Sequence, residues 1–222
     1  AVTCQREARG WPGAIVTNPN CSAIGLTMAL APLARFGLRR VLVTTLQAAS
    51  GAGYPGVPTL DLLDNVIPYI EGEEAKIESE TRKILGGWSE QDGFAEAPLR
   101  LSAQTTRVPV RESHLACVSV ELEARAKPEE LIAAWREFSG EPQTLGLPSA
   151  PALPIIYREE PDRPQPARDR VAQGGMAVTV GRLRQCPVLD YKFVCLSHNT
   201  LRGAAGATLL NAELACSQGR LD

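Results

Sequence analysis

A β-branched, apolar run at residues 40–46 (RVLVTTL) most constrains the fold, because it predicts a buried strand. The run leads into residues 47–56 (QAASGAGYPG), a loop rich in glycine that lets the backbone approach a ligand closely. With 44% hydrophobic residues among 222, the chain can build a sizeable core around that strand, as one large domain or two small ones.

The other predicted elements mix strands and helices without strict βαβ alternation, which predicts an α+β fold. Further strands are expected at residues 15–16, 101–110, 114–123, 177–184 and 191–197. Helices are expected at residues 22–30, 72–85, 129–138 and 202–216. Polar residues 87–98 predict a mobile surface loop, and proline-rich residues 142–168 predict an extended, irregular arm.

Domain boundaries and partners follow from the same patterns. Residues 1–13 are interpreted as a leader, 14–216 as one catalytic and dimerisation domain, and 217–222 as a tail.

A formal charge of −2 with mixed signs argues against a nucleic-acid partner. Apolar runs of about ten residues are too short to span a membrane. The six cysteines form no CxxC pair, and disulfides remain open, but a reduced cytoplasmic protein fits better.

Cys21 lies between the turn-forming residues 18–20 (NPN) and the apolar residues 24–30 (IGLTMAL), which predict a helix. Free backbone N–H groups and the dipole at a helix N-terminus favour a thiolate, so Cys21 is a candidate nucleophile. We therefore expect it to be alkylated faster than the other five cysteines. The alternative is that Cys21 is a small buried apolar residue.

His114 and Arg107 flank a short strand and turn, and both are expected to face one cleft. A Cys/His combination suits thiol catalysis, because imidazole moves a proton while sulfur attacks a carbonyl. The guanidinium of Arg107 suits a carboxylate. The alternatives are a strand-end histidine bonded to backbone and a solvated surface arginine.

Six blocks of the chain, in order, resemble the fungal and archaeal branch of the aspartate-semialdehyde dehydrogenases. They are residues 18–22 (NPNCS), 45–56 (TLQAASGAGYPG), 72–76 (GEEAK), 107–110 (RVPV) with His114, 162–166 (DRPQP) and 197–206 (SHNTLRGAAG). The resemblance implies a GAPDH-like C-terminal catalytic domain, with a large mixed β-sheet flanked by helices. It also implies a homodimer or homotetramer.

The resemblance also implies a reaction, the NADPH-dependent reductive dephosphorylation of aspartyl phosphate to aspartate semialdehyde, without metal. In that reaction Cys21 forms a thioacyl intermediate and His114 is the general acid/base. Gln47 orients the substrate beside the sulfur. Arg107 clamps the substrate carboxylate, and Glu73 holds its amino group.

The remaining residues implied by the resemblance contact phosphate or cofactor. Lys76 and Asn20 resemble phosphate-site residues, while Ser50, Gly51 and Asn199 look like NADP(H) contacts. Without the family, Glu73 and Lys76 at i, i+3 spacing are equally well read as a surface ion pair.

Two departures from the family pattern matter. The family begins with a dinucleotide-binding domain, for which about a dozen residues before position 14 leave no room; we therefore expect most NADP(H) contacts to be missing and turnover by this chain to be impaired. The residue before the histidine is usually glycine but is Ser113 here, which would strain the turn if φ is positive.

Two alternatives to the function implied by the resemblance stay open. One is a non-catalytic dimerising domain, and the other is an N-acetyl-glutamyl-phosphate reductase-like enzyme.

Overall fold

A computed structural model describes residues 2–221, and its centre is a six-stranded mixed sheet. The strands are β1 Leu38–Gln47, β2 Gly87–Ser89, β3 Gly93–Ala95, β4 Arg100–Arg107, β5 His114–Leu122, β6 Ile155–Arg158, β7 Val178–Gln185 and β8 Tyr191–Ser197. The sheet order is β4-β1-β5-β8-β7-β6, and β2 pairs with β3 as a separate hairpin. Only the β1–β4 and β6–β7 pairs are parallel among these strands.

The helices are α1 Val2–Arg9, α2 Cys21–Leu30, α3 Thr59–Leu62, α4 Glu73–Leu85, α5 Pro128–Arg136, α6 Glu141–Thr144, α7 Pro166–Asp169 and α8 Gly206–Ser217. Short 3₁₀ turns cover Ala31–Phe36, Ala49–Ala52 and Ala172–Gly175, and a π-turn at Leu201–Ala205 precedes α8. The predicted α+β class, with a large mixed sheet flanked by helices, is confirmed.

One hydrophobic core joins α2, α4 and α5 to the same face of the sheet. Val41 and Val43 of β1 point into it, whereas Leu42 between them is 48% exposed, as the two-residue period of a strand requires. Trp135 of α5 is fully buried, and its Nε1 donates to the carbonyl of Ala29 on α2 at 2.8 Å. The helices are therefore held to each other as well as to the sheet.

The core face of the sheet becomes polar at the end of β1. Val43 belongs to the apolar core, Thr45 follows on the same face, and Gln47 ends the strand. Gln47 pairs with Arg107 on the parallel neighbour β4, and β5 begins beside them at His114. Buried polar side chains are thus collected at one end of an otherwise apolar layer.

Helix α4 covers the free edge of the outermost strand, β4. The carboxylate of Glu78 accepts the backbone N–H of Ala103 at 2.9 Å, and that of Glu74 accepts the N–H of Thr105 at 3.0 Å. A sheet edge with unpaired N–H groups is open to pairing with other chains, and these carboxylates close it. They also fix the position of α4 against the sheet.

Three sequence-based expectations are wrong. Residues 15–16 form no strand; the side chain of Gln5 instead bonds the backbone of Ile15. Residues 87–98 contain the hairpin β2–β3, whose Trp88 and Phe94 rings lie 4.9 Å apart. Residues 142–168 contain strand β6, which joins the sheet through β7, and most of the short helices α6 and α7. Within residues 2–221, no helix combines the length and the apolar character needed to cross a membrane.

Replacing the edge-capping carboxylate should destabilise the fold. Glu78→Ala leaves the N–H of Ala103 without its acceptor and is expected to lower the free energy of unfolding by about 1–2 kcal/mol. Glu78→Gln keeps an acceptor oxygen and should lose less than about half of that. Urea unfolding followed by circular dichroism measures both, with exposed Ser79→Ala as the control. Equal losses for Ala and Gln would contradict the proposed capping.

Candidate active site

Asn20 sets the start of α2 and therefore the position of Cys21. The Asn20 Oδ1 accepts the backbone N–H groups of Ser22 at 2.9 Å and Ala23 at 3.1 Å, which is an N-cap. The backbone N–H of Asn20 is held in turn by the carboxylate of Glu80 on α4, at 2.5 Å. Cys21 is consequently the first helical residue, as its sequence position predicted.

The thiol of Cys21 is nevertheless not ionised by this placement alone. Burial raises its pKa above the usual 9.0, and the carboxylate of Glu73 raises it further. The backbone N–H groups of Ser22 and Cys21 and the charge of Arg107 lower it, but their effect is smaller. The helix N-terminus thus acts in the expected direction and favours the thiolate, but burial outweighs it in the resting protein.

Gln47 and Glu73 form a buried pair beside this thiol. The Nε2 of Gln47 donates to Glu73 Oε1 at 3.0 Å and to Thr45 Oγ1 at 3.3 Å. Gln47 is 1% exposed and Glu73 is 8% exposed. The alternative of a surface ion pair between Glu73 and Lys76 is wrong, because Glu73 points inward while Lys76, one turn further along α4, is exposed.

Arg107 ends β4 as a buried cation, and solvent does not surround it. Its Nη1 donates to the carbonyl of Ala48 at 2.8 Å. Burial lowers the pKa of Arg107, whereas the neighbouring Glu73 and Cys21 raise it. The guanidinium therefore lies close enough to both the nucleophile and the Glu73 carboxylate to interact with their charges, a setting that suits an anion clamp.

His114 begins β5 and is also buried, at 5% exposure. Its Nδ1 accepts the backbone N–H of Ala48 at 3.1 Å, and its Nε2 has no partner among the described residues. Burial lowers the pKa of His114 to about 3, and the charge of Arg107 and the ring of His198 act in the same direction. A backbone hydrogen bond with Ser113 raises the pKa and so opposes the shift, with an effect larger than that of His198 but smaller than those of burial and Arg107.

Gly51 lies in the 3₁₀ turn after β1 and faces these two side chains. A Cβ at this position would lie 2.8 Å from Arg107 Nη1 and 2.8 Å from His114 Cε1, which is too close for any side chain. Glycine is therefore required here by the close approach, as the glycine-rich sequence indicated.

Asn199 joins the loops on either side of His114. Its Nδ2 donates to Ser50 Oγ at 2.9 Å, and its Oδ1 accepts the backbone N–H of Ser113 at 2.8 Å. Ser113 has φ of 82°, is fully buried, and its Oγ has no partner within residues 2–221. The turn before the histidine therefore does require a left-handed residue, and serine occupies it with strain.

The structure brings together five of the sequence-based site residues: Cys21, Gln47, Glu73, Arg107 and His114. Ser50 and Gly51 lie in the adjoining turn, and Asn199 after β8 is hydrogen-bonded to Ser50; Asn20 caps α2, and Lys76 is exposed on α4. Among the described residues, no group of three or more His, Cys, Asp and Glu side chains is arranged to hold a metal ion.

Ala48 is the site residue that the sequence did not indicate. It acts only through its backbone: its N–H donates to His114, and its carbonyl accepts from Arg107. A methyl side chain carries no chemical signal for such a role. Its place directly after a buried strand, in front of a glycine-rich turn, is the only indication that the sequence offered.

A family model described as "Semialdehyde dehydrogenase, dimerisation domain" matches residues 30–202. The chain is 49% identical over 213 residues to an aspartate-semialdehyde dehydrogenase of Archaeoglobus fulgidus, covering 96% of this chain and 61% of the relative. It is 51% identical over 225 residues to the enzyme of that name from Cryptococcus neoformans var. neoformans, covering 97% and 61%. The chain thus spans about three fifths of the length of these curated relatives.

The fold is similar to that of solved aspartate-semialdehyde dehydrogenases. The structure with NADP from Candida albicans superposes with a TM-score of 0.87 at 42% identity, covering 99% of this chain and 63% of that one. Aspartate semialdehyde dehydrogenase II from Vibrio cholerae gives 0.74 at 26% identity, covering 91% and 62%.

The electrostatics of the thiols predict which cysteine reacts first in the resting protein. Backbone N–H groups of Leu189 and Val188 lower the pKa of Cys186, which is partly exposed, whereas burial raises that of Cys21. Because the thiolate is the reactive form, iodoacetamide at about pH 7.5 should label Cys186 before Cys21. Peptide mass spectrometry measures the order, with Cys186→Ser and Cys21→Ser as controls. Faster labelling of Cys21 would contradict it.

Ser113→Gly should stabilise the protein. The change removes left-handed strain and an unpartnered buried hydroxyl, each of order 1 kcal/mol or more, against about 0.5–1 kcal/mol of added chain entropy. We expect a net gain of about 1 kcal/mol in thermal or urea unfolding. Asp64→Gly is the matched control, since Asp64 has φ of 55° but is exposed, and should gain less. A loss for Ser113→Gly would show that the hydroxyl has a stabilising partner.

Proposed function

The chain belongs to the semialdehyde dehydrogenase dimerisation-domain family, and from that premise we propose that it carries the catalytic-cysteine part of an aspartate-semialdehyde dehydrogenase. The proposed reaction is the NADPH-dependent conversion of L-aspartyl-4-phosphate to L-aspartate-4-semialdehyde and phosphate. It belongs to the biosynthesis of aspartate-family amino acids. The residues of this chain account for the acyl-transfer half of that reaction.

The observation that carries the proposal is the convergence of Cys21, Glu73 and Arg107 at the polar end of one sheet. The proposed substrate has an α-carboxylate, an α-ammonium group and an acyl phosphate. Arg107 matches the carboxylate and Glu73 the ammonium group, while the sulfur of Cys21 reaches the activated carbonyl. Gln47 holds Glu73 through the 3.0 Å hydrogen bond and presents its own amide beside the sulfur.

In the proposed mechanism, the thiolate of Cys21 attacks the acyl carbon of aspartyl phosphate. A C–S bond forms as the bond from carbon to the phosphate oxygen breaks, which leaves a thioester on Cys21 and free phosphate. Because the acyl phosphate is already activated, the chain needs a nucleophile and hydrogen-bond donors for this step. The proposed part of His114 is that of the general acid/base, which takes the proton of the Cys21 thiol as the sulfur attacks.

NADP(H) is the proposed cofactor, and it supplies the hydride when bound. The fit rests on the turn at Ser50 and Gly51, where the bare Cα of an exposed glycine lies against His114 and Arg107. The exposed backbone of this turn therefore approaches the reactive groups without a side chain of its own between them. Asn199 holds the turn through its hydrogen bonds to Ser50 and Ser113, which is its proposed contribution to the cofactor side.

Lys76 and Asn20 are the proposed phosphate residues. Lys76 is exposed on the same helix as Glu73, so its long side chain is available to an anion near that site. The Oδ1 of Asn20 is used to cap α2, which leaves its amide nitrogen as the group able to face phosphate.

Homodimerisation through the sheet is the proposed assembly. The family description names a dimerisation domain. On the face of the sheet opposite α2 and α4, Leu42 is 48% exposed and Cys117 is also exposed. Pairing this face with a second copy would remove apolar surface from water.

The proposed function is tested by the acyl-transfer half-reaction, which needs no cofactor. Mixing the chain with L-aspartyl-4-phosphate should release about one equivalent of phosphate in a burst and add an aspartyl group to Cys21. Arg107→Lys, which loses the bidentate fork, should slow the burst at least about tenfold. Phosphate release and intact-protein mass spectrometry measure the two products.

Cys21→Ser and Cys186→Ser are the matched controls, because only the first should abolish the adduct. N-acetyl-L-glutamyl-5-phosphate is the competing substrate, and a faster burst with it would favour the reductase alternative. Absence of a burst with both compounds would contradict the proposed function and favour a dimerising domain without catalysis.

A further inference from the structure

We propose that the cavity beside Arg202 is a second binding site of this chain, and that it takes a small aliphatic carboxylate. Arg202 lies in the π-turn before α8, within the sequence block at residues 197–206, and the proposed reaction gives it no part. The site is independent of that reaction, because it depends on a cation whose counterion is missing among the described residues.

Arg202 carries its charge into the protein without an acidic partner. Its Nε is buried and makes no hydrogen bond within residues 2–221. Its Nη2 donates to Met28 Sδ at 3.2 Å, and a thioether sulfur is a weak acceptor. Burial lowers the pKa of Arg202, and no carboxylate in the described part of the chain opposes that shift. A buried guanidinium in this state costs free energy, which a bound anion would offset.

A cavity with a volume of about 230 Å³ lies beside this side chain. It is bordered by α2, the end of α4, the start of α8 and the loop before α2. Besides Arg202, its lining residues are Asn18, Pro19, Ile24, Thr27, Met28, Ile84, Ala207 and Asn211. None of these side chains is acidic, so the lining itself does not neutralise the guanidinium.

The lining favours a carboxylate with a short aliphatic chain. The guanidinium fork fits the two oxygens of a carboxylate, and the buried Oγ1 of Thr27, which has no partner among residues 2–221, offers one more donor. Ile24, Met28 and Ile84 give the cavity an apolar wall that suits a hydrocarbon chain. A phosphate dianion would need more donors than one arginine and one hydroxyl group supply. The small volume limits the ligand to a few carbon atoms.

Asn18 holds the walls of this cavity together without the help of Arg202. Its Nδ2 donates to the Ala204 carbonyl at 2.7 Å and to Thr208 Oγ1 at 2.6 Å. Its Oδ1 accepts from Asn211 Nδ2 at 3.0 Å. These bonds attach the loop before α2 to the π-turn and to α8. The guanidinium is therefore not required to hold these elements in place, and its hydrogen-bonding groups are left for a ligand.

The cavity and the candidate active site lie on opposite faces of α2. Ile24 and Thr27 line this cavity, whereas Ser22 and Gly25 line the small cavity that Cys21 shares. Residues three apart lie on one face of a helix, and the two pairs are about half a turn from each other. A carboxylate bound beside Arg202 would therefore leave the place of the proposed substrate free.

The chain contains two methionines, of which only Met28 lines this cavity, so methyl NMR gives a direct test. In protein labelled with carbon-13 at the methionine methyl groups, sodium butyrate should shift the Met28 signal saturably and leave the Met176 signal unchanged. Butylammonium chloride, with the same chain length and the opposite charge, should not shift it. Sodium phosphate should shift it less than butyrate does. These titrations use the unmodified protein and do not depend on the folding of a variant.

Variants of Arg202 test the part played by its charge. Arg202→Gln keeps an N–H donor but loses the charged fork, and it should weaken butyrate binding at least about tenfold. The matched control is Arg39→Gln, which removes an exposed arginine of β1 and should leave binding unchanged. Without butyrate, Arg202→Met should raise the urea midpoint of unfolding, because it removes a buried charge that lacks a partner. Butyrate should raise the midpoint of the unmodified protein and not that of Arg202→Met.

Three results would overturn the proposal. The first is a Met28 signal that does not respond saturably to butyrate, or that responds equally to butylammonium. The second is unchanged butyrate binding by Arg202→Gln, since the guanidinium would then not hold the ligand. The third is a lower urea midpoint for Arg202→Met without butyrate, which would show that the guanidinium already has a stabilising partner. A stronger response to phosphate than to butyrate would refute the assignment to a carboxylate.

Discussion

The backbone of Ala48 makes the contacts on which the candidate site depends. Its N–H holds His114 at 3.1 Å and its carbonyl holds Arg107 at 2.8 Å, so the two peptide groups that flank one Cα position both side chains. Ala48 directly follows β1, which is paired on both sides along most of its length. Side chains in place of these backbone groups would add rotamers of their own, whereas backbone groups next to a paired strand have little freedom.

The remainder of the fold allows this polar cluster to be buried. Folding removes three polar side chains from water: Glu73, Arg107 and His114. Burying any one of them without a partner would cost free energy. Glu73 and Arg107 offset each other's charge, and Gln47 satisfies one carboxylate oxygen. The helix that carries Glu73 is itself attached to the edge of β4 through Glu74 and Glu78. Helix α4 therefore both packs against the sheet edge and supplies the buried carboxylate of the site, through residues of its first two turns.

Much of this could be predicted from the sequence, and the failures have definite causes. The strand at 40–46 and the helix after Cys21 follow from local residue chemistry, whereas the left-handed position at Ser113 was indicated by the glycine that the family usually has there. Strand β6 was missed because surrounding prolines hide four residues whose pairing depends on distant β7. The role of Ala48 in holding His114 and Arg107 could not be predicted, because nearly every residue carries the same backbone N–H and C=O groups. The raised pKa of Cys21 depends on burial and on Glu73, 52 positions away in the chain, and both are tertiary properties.

That raised pKa is compatible with a nucleophilic cysteine once the charges of the proposed substrate are included. At rest, the carboxylate of Glu73 is the second cause, after burial, that keeps the thiol protonated. An α-ammonium group bound to Glu73 would neutralise that cause, whereas an α-carboxylate on Arg107 would weaken an opposing one. Glu73 is the larger of these two charge effects, so binding of both groups would on balance lower the pKa of Cys21. Burial would still oppose ionisation, and the Ser22 and Cys21 backbone groups at the helix N-terminus would still favour it. The proposed substrate would therefore bring its own nucleophile closer to the thiolate form than it is in the resting protein.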